Sequence, residues 1–172
     1  MTSLVKFDVL PLPALKVVGR AVRVRMADEM DDPVPELWAR CHGDGTLDEL
    51  EALDTFDPSP VGWMGDFDAK TSSFVYLCGV LLPSDAPVPD GYDARAIGPT
   101  SAAVGWVQGE PDELVPLAQE LTEEAMAQAG VAADDSAGWA LELYNAGRFT
   151  EPGPDGEVVL DFYIPCLEPA TA

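Results

Sequence analysis

Apolar positions fall into short runs with a two-residue period and into two longer stretches with a helical period. Leu15 to Met26 is rich in β-formers. Pro33 and Pro35 then open a helix through Glu36, Leu37, Trp38 and Cys41, because proline fits a first helical turn. Gly43 and Gly45 end it. Leu47, Leu50, Glu51 and Leu53 mark a shorter helical patch. Residues 57–72 carry Pro58, Pro60, Gly62 and Gly65 and read as a loop, interrupted by Trp63, Met64 and Phe67. Aromatics there either pack over a mouth or form a lid. A strand from Ser73 to Leu82 follows, then a proline-rich link and a short strand from Tyr92 to Ile97.

The second half repeats this order. Ser101 to Gln108 is a strand. Gly109 and Pro111 introduce a helix from about Asp112 to Gln128, closed by Gly130. Its expected apolar stripe is Leu114, Leu117, Leu121 and Ala125, extended by Val131, with acids on the outer face. Pro116 marks either the true first turn or a kink. Strands from Trp139 to Asn145 and from Val158 to Pro165 close the chain. Each half is therefore strand, helix, strand, strand. That order predicts an α+β fold of two β-α-β-β repeats, about 12–98 and about 101–167, in one domain over 1–172. The helices are expected on one face of an antiparallel sheet, with a concave groove on the opposite face.

One residue breaks the apolar pattern. In Trp139-Ala140-Leu141-Glu142-Leu143-Tyr144-Asn145, alternation puts Ala140, Glu142 and Tyr144 on one face. Trp139, Leu141 and Leu143 take the other, which reads as core. A carboxylate on an apolar sheet costs several kcal/mol, to an order of magnitude, unless it is paired, solvated or protonated. Glu142 is therefore a site candidate, and a face simply open to water is the alternative. Superposing Val75 to Gly79 on Leu141 to Asn145 places Tyr76 at the position of Glu142. If a pseudo-twofold relates the halves, both point into one groove.

Composition narrows the partners. The net charge is −22 and the sequence pI is about 4.1, which excludes phosphate-neutralising nucleic-acid binding and disfavours anionic membranes. It favours cationic or neutral ligands and high solubility. With 47% hydrophobic residues, the 172-residue chain can bury a real core. Cys41, Cys78 and Cys166 are odd in number and far apart, so no disulfide framework is expected. No apolar run is long enough for a signal segment or a membrane span, and the cytoplasm is the expected compartment.

Other chemistry finds little support. His42 lies beside Cys41 near a helix end, where neighbouring side chains diverge. One histidine and scattered cysteines do not make a metal site, and no metal or cofactor is expected. Asp44 and Asp48 lack the spacing of a calcium loop. Glycine-rich phosphate loops are absent.

Pro35-Glu36-Leu37-Trp38, Tyr76-Leu77-Cys78-Gly79-Val80, Leu141-Glu142-Leu143-Tyr144 and Ile164-Pro165 stand in a familiar order and spacing. With them the chain resembles the GyrI-like small-molecule-binding superfamily, over about Leu12 to Leu167. That superfamily includes effector-binding domains of multidrug-responsive bacterial activators. The resemblance implies a ligand groove between two repeats, with Glu142 as the central acid for bulky aromatic, often cationic compounds. No helix-turn-helix or basic DNA-reading segment is seen here, so a complete regulator is not expected.

Tyr76, Trp106, Tyr144 and Tyr163 are expected to ring the carboxylate, while Trp63 and Phe67 either cap the ligand or pack the loop. Tyr163 alternates with Phe162, and only one of the two faces the groove. Each cation–π contact adds roughly 0.5–2 kcal/mol. The leading expectation is a stand-alone multidrug-binding protein for toxin sequestration or resistance. An alternative is a hydrolase of cyclopropane-containing DNA-alkylating compounds, with Glu142 as base and Tyr144 or Tyr76 hydrogen-bonding the reacting oxygen. A third is an acidic module that docks on DNA gyrase or another basic protein.

Overall fold

The computed structural model describes residues 2–26 and 32–167. Two units emerge, one from Met1–Pro13 with Pro99–Ala172 and the other from Ala14–Gly98. We call them the first and second units. The first contains β1 (Ser3–Leu12), β6 (Thr100–Gly109), α3 (Pro111–Ala129), β7 (Ala140–Leu143) and β8 (Val158–Cys166). Its antiparallel strand order is β1-β6-β8-β7. The second contains β2 (Leu15–Arg25), α1 (Val34–Gly43), α2 (Thr46–Glu51), β3 (Asp57–Asp68), β4 (Ser73–Pro83) and β5 (Asp93–Ile97). Its antiparallel order is β5-β2-β4-β3. Both units are α+β, and each follows strand, helix, strand, strand plus one edge strand.

The expected loop over 57–72 is largely strand β3. Its residues Ser59, Val61, Trp63 and Gly65 are buried. Pro58 and Pro60 are tolerated because the β3–β4 register jumps between Asp57 and Val61. A proline placed in an irregularity removes no ladder hydrogen bond. The edge strand β1 is likewise not evident from its mixed pattern.

Recognising β3 changes the correspondence between the repeats. By chain order and sheet position, β7 matches β3, and β4 matches β8. Tyr76 on β4 therefore does not occupy the place of Glu142 on β7. The superposition of those two strands is one strand out of step, because the prolines of β3 hide a strand from the repeat.

Helix α3 starts with Pro111 in its first turn and ends at Gly130, whose φ of 71° suits glycine. Pro116 lies inside the helix. The buried stripe is Leu114, Ala118, Thr122 and Met126, which shares only Leu114 with the expected one. Leu117 is 38% exposed. The small residues are selected by close approach to the sheet: a Cβ on Gly105 of β6 would lie 2.3 Å from Thr122 Oγ1. Thr122 Oγ1 also donates to the Ala118 carbonyl at 2.8 Å, so its hydroxyl is satisfied while buried.

In the second unit, α1 buries Leu37 and Cys41 on Leu47, Tyr76 and Cys78. Leu50 of α2 joins Val18, Val80 and Leu82. A closer approach occurs between strands. A Cβ on Gly79 would lie 1.9 Å from the Val18 carbonyl oxygen, and one on Gly19 equally close to that of Cys78. The β2–β4 ladder at this point admits only glycine on both sides.

Candidate functional site

Strand register decides which side chains share a face, because directly opposed residues of an antiparallel pair point the same way. Glu142 on β7 stands opposite Phe162 on β8. Phe162 stands opposite Gly105 on β6, and Gly105 opposite Phe7 on β1. One row thus crosses the first unit: Glu142, Phe162, Gly105, Phe7. Thr122 of α3 abuts that row at Gly105. The face that bears Glu142 is therefore the face that α3 packs on. Glu142 and helix α3 thus share one face of the first unit's sheet. Helix α3 packs on β1, β6 and β8, and β7 is the next strand along.

Glu142 is 7% exposed, flanked in sequence by the buried Leu141 and Leu143. The neighbouring strand supplies the buried Phe162. The choice between Phe162 and Tyr163 is settled by register: Phe162 lies beside the acid. Tyr163 opposes Leu141 and Trp106 opposes Asp161, which puts both aromatics on the other face of the sheet. The expected ring of Trp106 and Tyr163 around Glu142 does not form. Trp106 instead lies under Lys6, whose Nζ is 4.5 Å from the ring centroid. Tyr144 follows the end of β7, half-buried, with Phe149 edge-on at 4.7 Å.

A second buried acid is missed by the sequence reading. Asp161 is 2% exposed, on β8 opposite Leu143. Arg148 grips it in a fork, Nε to Oδ1 at 3.2 Å and Nη2 to Oδ2 at 2.5 Å. Such bidentate bonding satisfies a carboxylate that water cannot reach. The signal was available, since Leu160-Asp161-Phe162 interrupts an apolar strand just as Glu142 does.

The remaining candidates belong to the second unit. Tyr76 is buried on the helix-bearing face, and its hydroxyl accepts from Trp38 Nε1 at 2.9 Å. Trp63 is buried on the reverse face, opposite Leu77. The Arg95 guanidinium lies 5.8 Å from its ring centroid and is itself paired with Asp66 at 2.8 Å. Phe67 is 62% exposed and leans on Phe74 at 5.6 Å. Tyr76 and Trp63 thus sit on opposite faces of their own sheet. Among the described residues, no group of three or more His, Cys, Asp or Glu could hold a metal ion. None of the described helices is long and apolar enough to cross a membrane.

The chain belongs to the GyrI-like small molecule binding domain family, whose model matches residues 6–167. A protein from Staphylococcus aureus MU50 assigned to bacterial transcription regulation has a similar structure, with TM-score 0.67 and 16% identity over 94% of this chain and 97% of that one. The structure of SAV2435 bound to tetraphenylphosphonium matches with TM-score 0.67 and 15% identity, over 95% and 94% of the two chains. An integron cassette protein of Vibrio cholerae matches with TM-score 0.59 and 13% identity, over 96% and 99%. At such identities the likeness shows the fold. Among curated proteins, no sequence matches.

Proposed function

We propose that the chain binds bulky aromatic compounds bearing positive charge at a site centred on Glu142. The observation that carries this is the burial of Glu142 on an apolar face beside Phe162. A charge removed from water attracts an opposite charge far more strongly than an exposed one. A lipophilic cation can follow it there because its own desolvation is cheap. The adjacent ring adds dispersion and cation–π attraction without demanding one ligand shape. The net charge of −22 raises the local concentration of cations further. Tyr144, next along the chain, is the proposed polar neighbour of the ligand. Trp106 and Tyr163 are left out, since they face the other way.

The similarity to SAV2435, whose structure holds tetraphenylphosphonium, supports the same ligand class here. Sequestration of toxic hydrophobic cations is the role that follows. A thermal-shift series with tetraphenylphosphonium, other lipophilic cations and neutral polycyclic compounds tests the proposal. A true ligand stabilises by mass action, about 2.7 kcal/mol at a hundredfold excess over Kd. The cations are expected to raise the melting temperature in a concentration-dependent way. Flat melting temperatures across the panel would overturn the proposal. Ring-opened product from a cyclopropane-bearing compound, lost in Glu142→Gln, would reassign the site to hydrolysis.

A further inference from the structure

Helix α1 crosses β4 on two matched contacts. Trp38 and Cys41 are three residues apart and share one helix face. Tyr76 and Cys78 are two apart and share one sheet face. Trp38 Nε1 donates to the Tyr76 hydroxyl at 2.9 Å. Beside it, the Cys41 and Cys78 side chains lie within interaction distance of each other. Both cysteines are fully buried, in one cluster with Leu37, Leu47 and Tyr76. The aromatic rung fixes the register of the helix against the strand, and so holds the two sulfurs near each other.

We propose that Cys41 and Cys78 are an oxidisable dithiol, converted by a hydroperoxide into a disulfide that ties α1 to β4. This modification site is independent of the ligand proposed above. In the first step one sulfur attacks a peroxide oxygen, the O–O bond breaks, and water leaves with a sulfenic acid on the protein. In the second, the other sulfur attacks the sulfenic sulfur, the S–O bond breaks, and a second water leaves. Two thiols lose two electrons and two protons, and one hydrogen peroxide becomes two waters. Cys41 is the first attacker. Burial raises the pKa of both thiols; at Cys41 the Cys78 thiol and the Arg20 and Arg40 guanidinium groups lower it while Asp44 raises it, whereas at Cys78 the Cys41 thiol and Asp44 both raise it further. Thiolate is the reactive form, so the reaction is slow and needs prolonged exposure. Proximity of the sulfurs then favours the disulfide over further oxidation, because the second thiol is already in place.

The sequence makes the product easy to read. Trypsin cuts after Arg40, Lys70, Arg95 and Arg148, which leaves Cys41 on 41–70, Cys78 on 71–95 and Cys166 on 149–172. The native protein is treated with hydrogen peroxide, unfolded in an alkylating agent and digested. A linked pair of the first two peptides is expected, lighter by two hydrogen atoms and separated by reductant. Cys166 is expected to be alkylated, and Cys166→Ser is expected to give the same link. Full alkylation of Cys41 and Cys78, a gain of two oxygens on either separate peptide, or a link through Cys166 would overturn the proposal.

Discussion

Glu142 and Asp161 are buried acids on adjacent strands that point to opposite faces of one sheet. Asp161 opposes Leu143, and Glu142 opposes Phe162. A shift of one residue in a strand exchanges its faces. Two similar interruptions of an apolar pattern therefore have different surroundings. Asp161 is held by the Arg148 fork, which makes it a structural ion pair. Glu142 shares its face with Phe162 and lies on the α3 side.

The Arg148–Asp161 pair predicts a large and non-additive stability loss. Arg148→Ala leaves a carboxylate at 2% exposure without its guanidinium. The cost of breaking such a pair is about 3–5 kcal/mol when both partners are buried. Arg148 is 44% exposed, so about 1–3 kcal/mol is expected after discounting for solvent screening. Adding Asp161→Asn to Arg148→Ala is expected to recover part of it, because the buried charge is then gone. Urea denaturation of the two single variants and the double variant measures this. Strict additivity would mean that the two side chains do not act as a pair.

Two glycines predict losses of different kinds. Gly105→Ala drives a methyl against Thr122 Oγ1, a side-chain atom 2.3 Å from the new carbon. Overpacking of this sort costs about 1–3 kcal/mol. Adding Thr122→Ala removes the obstructing oxygen, so the double variant is expected to be more stable than the sum of the two losses predicts. Gly79→Ala drives a methyl to 1.9 Å from the backbone oxygen of Val18. No rotamer relieves that contact. Gly79→Ala is expected to cost more than Gly105→Ala, and no side-chain truncation is expected to rescue it. Melting temperatures of the set decide the order.

How much of this was legible in the sequence depends on the element. The α1 start at its prolines and the α3 stop at Gly130 followed from local chemistry alone. The β3 strand did not, because Pro58 and Pro60 mask a strand whose ladder is irregular at that place. That omission shifted the repeat correspondence by one strand and matched Tyr76 to Glu142. The unusual position of Glu142 was legible, since a charge between Leu141 and Leu143 breaks an apolar strand. Its neighbours were not. Period-two alternation gives the faces within a strand, whereas Phe162, Tyr163 and Trp106 needed the register between strands. Thr122 at Gly105 was equally hidden, because only packing distance shows why α3 carries small residues there.

Asp44 predicts a stability difference confined by pH. Hydrogen bonds from the Thr46 hydroxyl and backbone N–H, with Arg20 and Arg40 nearby, hold its carboxyl below the usual carboxylate range. A depressed folded-state pKa stabilises above the unfolded pKa and ceases to do so as pH falls through the folded one. Asp44→Asn keeps an acceptor oxygen and removes the charge. The wild type is expected to exceed the variant in urea midpoint at neutral pH, and the gap to close below about pH 4. A gap unchanged down to about pH 2, beneath the ordinary carboxylate range, would show that the charge plays no part.

The central claim is that the charge of Glu142 holds a hydrophobic cation. Calorimetric titration of tetraphenylphosphonium into wild type and Glu142→Gln tests it most directly, with folding of both checked by circular dichroism. The predicted result is saturable binding to the wild type and an affinity about tenfold or more weaker in the variant, at least about 1.4 kcal/mol. Equal affinity for the two folded proteins, or no binding to the wild type, would contradict it.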